Sequence, residues 1–309
     1  MSERNFIMAN TVEYAKVFQN ELDKQICEGA TSGWMEDNAG QVIYNGGKEI
    51  KLPKMSLQGL GNYDRDEGYT EGAVTFSYQT MTMSQDRGRR FRIDAMDVDE
   101  TAFGLTAANV ASEFQRTRVI PEIDAYRYST LAAKAEIKEN YVPEKATVLS
   151  QLLAQLSKVY DVTGGESSIV ITMARPVYDM LMSSEEVSRY IDAGSFKQGE
   201  LDLAVKTING AAVIPVSSAR MKSAYSFKTG SGSEADGGFA ASEGAVDVNW
   251  IICPKNAPVA VSKTDNVKMI SPDINQFADA WDIDYRKYHD LFVSDNAKKA
   301  IAVSLNQAG

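Results

Sequence analysis

One histidine, His289, and two cysteines, Cys27 and Cys253, are the whole stock of imidazole and thiol in 309 residues. A two-histidine metal site cannot form within one chain, and a Ser-His-Asp arrangement has only His289 to draw on. His289 sits in Asp282-Ile-Asp-Tyr-Arg-Lys-Tyr-His-Asp-Leu-Phe-Val293, whose alternation is that of a strand. Packing and hydrogen bonding explain it better than catalysis. The carboxylates offer two further openings. Asp64-Arg-Asp-Glu-Gly68 starts like a calcium loop, but the twelfth position, where a bidentate glutamate belongs, is Thr75. A solvated loop tip is the better reading. Asp94, Asp97, Asp99 and Glu100 suggest a two-metal cluster, yet they precede a helical pattern, where exposed amides and the helix dipole favour carboxylates. Gly164-Gly165-Glu166-Ser167-Ser168 lacks the lysine of a phosphate loop and leads into a strand, so it is a turn. Arg87, Arg89, Arg90 and Arg92 form the one basic knot. Ion pairing with the acidic excess, within or between chains, is preferred there to nucleic-acid contact. No constellation supports catalysis, and no cofactor or metal is expected.

Composition narrows the remaining classes. With 44% hydrophobic and 24% charged residues the chain is an ordinary globular one, long enough to bury a core without staples. Two distant cysteines make no disulfide framework, so a reducing compartment is expected. The opening Met1-Ser-Glu-Arg-Asn-Phe-Ile-Met8 lacks the apolar core of a secretory signal. No run approaches the ~18 apolar residues of a membrane span, and no membrane role is expected. The formal charge of −10, from 32 basic and 42 acidic residues, argues against a general nucleic-acid binder.

What must position these residues is an unusual series of elements. Val12, Ala15, Val17, Phe18, Leu22 and Ile26 predict a short amphipathic helix over 11–28. Residues 31–45 read as loop, ending in the turn Asn45-Gly46-Gly47. Ile50 and Leu52 open a strand that Pro53 places at an edge or bend, and Val74 to Met83 alternates as a returning strand. Between them Gly59 to Gly72 holds four glycines among Asp64, Asp66 and Glu67, the tip of a hairpin far longer than hairpin loops usually are. Asp86 to Asp94 predicts a strand with Arg90, Arg92 and Asp94 on one face and Phe91, Ile93 and Ala95 on the other.

The longest helical pattern runs from Thr106 to Lys134, with Pro121 expected to bend or restart it. Thr147 is a candidate N-cap for a helix ended by Gly164-Gly165; a buried strand at 168–172 and a short helix at 176–182 follow. Ser183-Ser-Glu-Glu186 reads as a capping box, and Asn209-Gly210 as a tight turn between two strands, the second at 212–216. Residues 228–245 read as a flexible loop. Strands are predicted near 248–253, 258–262, 282–293 and 300–305, with a helix start at Ser271-Pro272-Asp273. Helices and strands mix without regular alternation, so the class is α+β.

This order resembles that of the major capsid proteins of tailed bacteriophages, of the Hong Kong ninety-seven type. Stretches that carry the likeness are Asn62-Tyr-Asp-Arg-Asp-Glu-Gly-Tyr69, Asp86-Arg-Gly-Arg-Arg-Phe-Arg-Ile-Asp94, Val119-Ile-Pro-Glu-Ile-Asp-Ala-Tyr126 and Arg286-Lys-Tyr-His-Asp-Leu-Phe-Val293. The resemblance implies an N-terminal arm at 1–45, an extended loop at 46–86 and a peripheral (P) domain with a spine helix at 87–145. It implies an axial (A) domain at 146–254 and return strands completing the P domain at 255–309. It further implies a phage or prophage shell subunit that assembles with itself into hexamers and pentamers in the bacterial cytoplasm. That shell would enclose double-stranded DNA without sequence-specific binding, with a separate scaffolding protein and a portal as partners. Under it, Tyr63, Asp64, Arg65, Asp66, Glu67 and Tyr69, with Arg87, Arg89, Arg90 and Arg92, would make contacts between subunits. Lys48, Lys51 and Lys54 are candidates only by region for the lysine crosslink some members form. The alternatives are an encapsulin-like compartment and, from another class, a stand-alone hydrolase or metal enzyme, which requires a concave site at His289 or at the 94–100 carboxylates.

Overall fold

The computed structural model describes residues 29–44, 48–63, 65–66, 68–96, 107–165, 168–184, 191–198 and 201–308. The helix expected at 11–28, the 45–47 turn, Asp64, Glu67, Asp97, Asp99, Glu100 and the capping-box glutamates lie outside them. Strands β1 (Ile43–Tyr44), β2 (Glu49–Leu57), β3 (Val74–Thr82) and β4 (Gln85–Asp94) come first. Helix α1 (Ala107–Phe114) leads through a π-register turn, Gln115–Val119, into α2 (Ile120–Lys134). Then follow β5 (Ile137–Asn140), α3 (Val148–Thr163), β6 (Ile169–Ala174) and α4 (Arg175–Met182). Next are β7 (Ile191–Gln198), β8 (Leu201–Ile208), β9 (Ala211–Val216), β10 (Tyr225–Phe227) and β11 (Phe239–Ala241). The chain closes with β12 (Val248–Pro254), β13 (Pro258–Ile270), β14 (Ala280–Val293), α5 (Asp295–Lys298) and β15 (Ala302–Leu305).

Three sheets carry the architecture. Strands β2 and β3 pair antiparallel from Glu49↔Thr82 out to Leu57↔Val74, with β1 on the edge of β2. Strands β13, β14 and β4 form a second, antiparallel sheet in that order. The third has seven strands in the order β5-β15-β12-β6-β9-β8-β7, with β6 and β12 buried along their whole length. Such strands read as continuous apolar runs because both faces are covered. The main core lies on this sheet: Leu149, Leu152, Leu156 and Val159 of α3 meet Ile169, Ile171, Ile251 and Val303. The tail strand β15 belongs to it and not to the β13–β14 sheet, pairing with β12 and, in parallel, with β5.

The long helix runs through Pro121 without breaking. Its N–H-less residue falls in the first turn of α2, and the preceding turn widens so that the Ile120 N–H bonds back to the Gln115 carbonyl. Inserting a π turn is one of the few ways a helix absorbs a proline. Thr147 is the N-cap of α3 by position, but its Oγ1 shares a 2.8 Å hydrogen bond with the Tyr141 hydroxyl and does not cap. At the other end Gly164 takes the left-handed conformation, φ 72°, that closes a helix at low steric cost. Asn209 and Gly210, both with positive φ, make the β8–β9 turn as expected.

Three expectations are corrected. Residues 31–45 are not simply loop: Gly33–Gln41 is a 3₁₀ helix that buries Trp34 and Met35 in the main core. Asn38 ties it down by donating to the carbonyls of Lys255, at 2.6 Å, and Pro258, at 2.8 Å. Strand β13 runs to Ile270, well past 262, and Ser271-Pro272-Asp273 starts no helix. The Ile274 and Asn275 N–H groups bond the Ser271 carbonyl for one turn, and the chain then re-enters β14. The segment 228–245 is organised: it is the connection and returning strand of the β10–β11 hairpin and holds a 3₁₀ turn at Gly232–Glu234.

Gly88 of β4 lies opposite Arg286. A Cβ there would meet the Tyr285 carbonyl oxygen at 2.7 Å, inside contact distance and against backbone. Gly88→Ala is therefore expected to destabilise the fold by roughly 1–3 kcal/mol, the usual cost of overpacking. Thermal unfolding checks it, and an unchanged midpoint would show that β4 and β14 separate freely.

Candidate assembly surface

The β2–β3 ribbon has two different faces, because successive strand residues point to opposite sides. Near its root one face carries Ile50 and Leu52, which are buried with Met83, Val259, Tyr288 and Phe292. Further out the same face turns polar and meets Asp295, which accepts from Lys54 Nζ at 3.3 Å and Gln79 Nε2 at 3.2 Å. Lys298 Nζ completes the set at 2.9 Å. Hydrogen bonds from Lys298, Lys54 and Gln79 hold this carboxyl at about 2. The contact is therefore complete above the ordinary aspartate value near ~4 and is lost only as pH falls through about 2. The opposite face presents three cross-strand pairs: Pro53 with Tyr78, Met55 with Phe76 and Leu57 with Val74. Met55, Leu57, Val74, Phe76 and Tyr78 are all exposed. An apolar ribbon face directed to solvent is a candidate interaction surface. Beyond it, in the hairpin loop, Tyr63 and Tyr69 stack edge to face at 4.9 Å and are themselves exposed.

Two buried carboxylates fix the ribbon's base and the segment before it. Asp290 of β14 accepts from Ser84 N at 2.7 Å, Ser84 Oγ at 2.9 Å and the Tyr126 hydroxyl at 2.5 Å. Ser84 joins β3 to β4, so the hinge of the ribbon is tied to α2. Burial, then the bond to Asp290, pushes the Tyr126 phenol up to about 12. Asp124 of α2, fully buried, accepts from Thr31 N (3.2 Å) and Oγ1 (2.9 Å), Ser32 N (3.1 Å) and Oγ (2.6 Å), and Arg220 Nη1 (2.9 Å). One turn on, buried Arg127 donates to the Ser32 carbonyl and to Glu36. Burial works to raise the Glu36 pKa, but the charges of Arg127 and Lys287 and the Arg127 hydrogen bond outweigh it and hold the carboxyl low.

The basic knot divides by strand parity. On one face of the β14–β4 pair, three bidentate pairs form a ladder. Arg92 meets Asp282 at 2.7 and 2.8 Å, Arg90 grips Asp284, and Arg286 reaches Asp86 at 2.8 and 2.6 Å. On the other face Arg87 pairs with Glu122 and donates to the carbonyls of Lys228, at 3.0 Å, and Gly238, at 3.2 Å. Arg89 reaches the Ala235 carbonyl at 3.0 Å. These two side chains organise the 228–238 loop, and all four arginines have partners within the chain.

His289 is buried in the central strand of its sheet, between Ser262 and Gln85, with its ring edge-on to Tyr126 at 5.6 Å. Burial first, then the charges of Lys287, Arg127 and Arg87, hold its pKa well below the usual value, so it is neutral. Of the 94–100 carboxylates, Asp94 accepts from Met96 N at 3.0 Å. Among the described residues no group of three or more His, Cys, Asp or Glu side chains is placed to hold a metal ion, and no helix is long and apolar enough to cross a membrane.

No protein-family model matches the chain, and no curated protein matches it in sequence. Solved structures do match in fold. The capsid of the cyanophage P-SCSP1u superposes with a TM-score of 0.58 at 12% identity, covering 85% of this chain and 84% of that one. The mature capsid of bacteriophage PhiM1 gives 0.55 at 9%, covering 85% and 83%. A virus-like particle from Pyrococcus furiosus gives 0.55 at 9%, covering 94% and 99%. The chain therefore has the α+β, Hong Kong ninety-seven type fold of phage capsid proteins.

Proposed function

We propose that the chain is the major capsid protein of a tailed phage or prophage, a structural subunit that closes with copies of itself into an icosahedral head of hexamers and pentamers. The carrying observation is the exposed apolar face of the β2–β3 ribbon, borne on a capsid fold and anchored at its root to its own subunit. A surface of that kind needs a neighbour to cover it, and closed symmetry multiplies one modest contact into a stable shell. In this reading 1–45 is the arm, 46–86 the extended loop, and the β13-β14-β4 sheet with α1 and α2 the P domain. The A domain is the 146–254 region together with β5 and β15, which share its sheet. Tyr63, Asp64, Arg65, Asp66, Glu67 and Tyr69 meet the adjacent subunit. Arg87, Arg89, Arg90 and Arg92, with partners inside the chain, shape the surface that receives it.

The −10 charge would keep enclosed double-stranded DNA mobile against the wall. A scaffolding protein and a portal would be the partners, and assembly would take place in the host cytoplasm. The likeness to the Pyrococcus furiosus particle is no stronger than that to the phage capsids, so it does not favour a cargo compartment. The test is sedimentation and negative-stain microscopy of the purified chain. Closed hollow particles far heavier than 33.9 kDa are expected; a chain that remains monomeric as its concentration is raised overturns the reading.

A further inference from the structure

The turn between β13 and β14 holds an aromatic side chain out into solvent. Phe277 is 90% exposed and Ile274 beside it 62%. The turn that carries them is built rigidly. Asn275 Nδ2 donates to the Ala280 carbonyl at 2.9 Å, Asn275 Oδ1 accepts the Phe277 N–H at 3.1 Å, and the Ile274 N–H bonds the Ser271 carbonyl at 3.0 Å. A turn fixed in this way loses little backbone freedom when the side chain it carries is buried. The same sheet, on β4 and α1, carries an open pocket of about 610 Å³ lined by Phe91, Val110, Glu113, Phe114, Thr117 and Arg118. Two of its lining residues are aromatic, Phe91 and Phe114, which meet edge to face at 4.8 Å.

We propose that Phe277 of one copy of this chain inserts into the Phe91–Phe114 pocket of a second copy. This rests on the shell reading and adds a specific contact to it. Three observations select a second copy as the occupant. The chain's own Phe277 does not fill its own pocket, as its exposure shows. An aromatic side chain suits an aromatic pocket, where edge-to-face packing adds to area burial. The charges also complement. The turn carries Asp273 and Asp279, both exposed, while Arg118 at the pocket has no ion-pair partner among the described residues and Arg116 pairs only with Glu113. Knob and pocket are different surfaces of one subunit, so each copy both gives and receives, and the contact is heterologous, closing into a ring where the rotation between copies allows it.

Cysteines at Phe277→Cys and Val110→Cys, combined in one chain, test the contact directly. After mild oxidation the double variant is expected to run as a ladder of chain multiples on a non-reducing gel, while each single variant does not. Phe277→Ser and Arg118→Glu are each expected to lower particle yield by about tenfold, as loss of an anchor residue does, with monomer melting unchanged. Asp273→Arg should restore part of the Arg118→Glu loss. Wild-type particles with no ladder from the double variant, and normal yield from Phe277→Ser, overturn the contact and leave the shell reading standing. A wild-type chain that never forms particles overturns both.

Discussion

Asp124→Ala is expected to destabilise the subunit by about 3–5 kcal/mol, the range for removing one partner of a buried ion cluster. The side chain is fully buried and accepts five hydrogen bonds from two segments: Thr31 and Ser32 before the ribbon, and Arg220 after β9. Asp124, Glu36, Arg127 and Arg220 form a group of two negative and two positive charges. Truncation leaves that group with an excess positive charge and strands four further donors, two of them backbone N–H groups, at buried Ser32 and half-buried Thr31. The melting temperature should fall on the order of 10 °C. Arg220→Ala removes only one of the five donors, at a partly exposed position, and should cost markedly less. Urea or thermal unfolding of both variants beside wild type decides the matter. A loss below about 1 kcal/mol for Asp124→Ala, within the ordinary spread of single substitutions, would mean that water replaces the carboxylate readily and that this junction does not hold 31–32 to α2.

This junction was legible only in part. Asp124 and Arg127 fall on the same helical stripe as Ile120, Ile123 and Leu131, so two opposite charges three residues apart on an apolar face were the available signal of a buried pair. Their partners at Thr31, Ser32 and Arg220 are set by tertiary structure and leave no trace in local pattern. The same reason explains the 228–245 segment. Glycine and serine content describes its freedom as an isolated chain, and the arginines that tie it down stand about 140 residues earlier. Trp34 and Met35 were hidden because a short 3₁₀ helix has too few turns to show periodicity. By contrast the hairpin, the strand of the arginine knot and the long helix were readable, because alternation and helical spacing repeat often enough there to outweigh noise. The apolar face of the ribbon was present in that alternation too, as Val74, Phe76 and Tyr78. That it faces solvent is a fact of packing, and only the folded chain displays it.

Met55→Asp combined with Phe76→Asp is expected to abolish particles while leaving the subunit folded. The two residues are cross-strand partners in the middle of the exposed ribbon face, with neither in the core of its own subunit. Exposed substitutions of this kind usually change stability by no more than about 0.5 kcal/mol, so melting of the isolated subunit should barely move. At a contact between subunits the arithmetic differs. Full burial of a methionine or phenylalanine side chain is worth about 1.5–3 kcal/mol, and two carboxylates in their place must be desolvated without a partner. Each shell repeats that penalty at every equivalent contact, so assembly should fail altogether. Ser56→Asp with Thr75→Asp supplies the control, because this pair lies one residue along the same strands and points to the other face. Raised salt should not rescue the apolar-face variant, since the missing term is burial and not long-range charge. Sedimentation of the two double variants separates the possibilities. Normal particles from Met55→Asp/Phe76→Asp would show that this face stays wet in the shell. Loss of particles only from Ser56→Asp/Thr75→Asp would place the contact on the polar face. A fall in melting temperature of the apolar-face variant would show that the ribbon packs against its own subunit, and the ribbon would then no longer serve as the surface that joins one copy to the next.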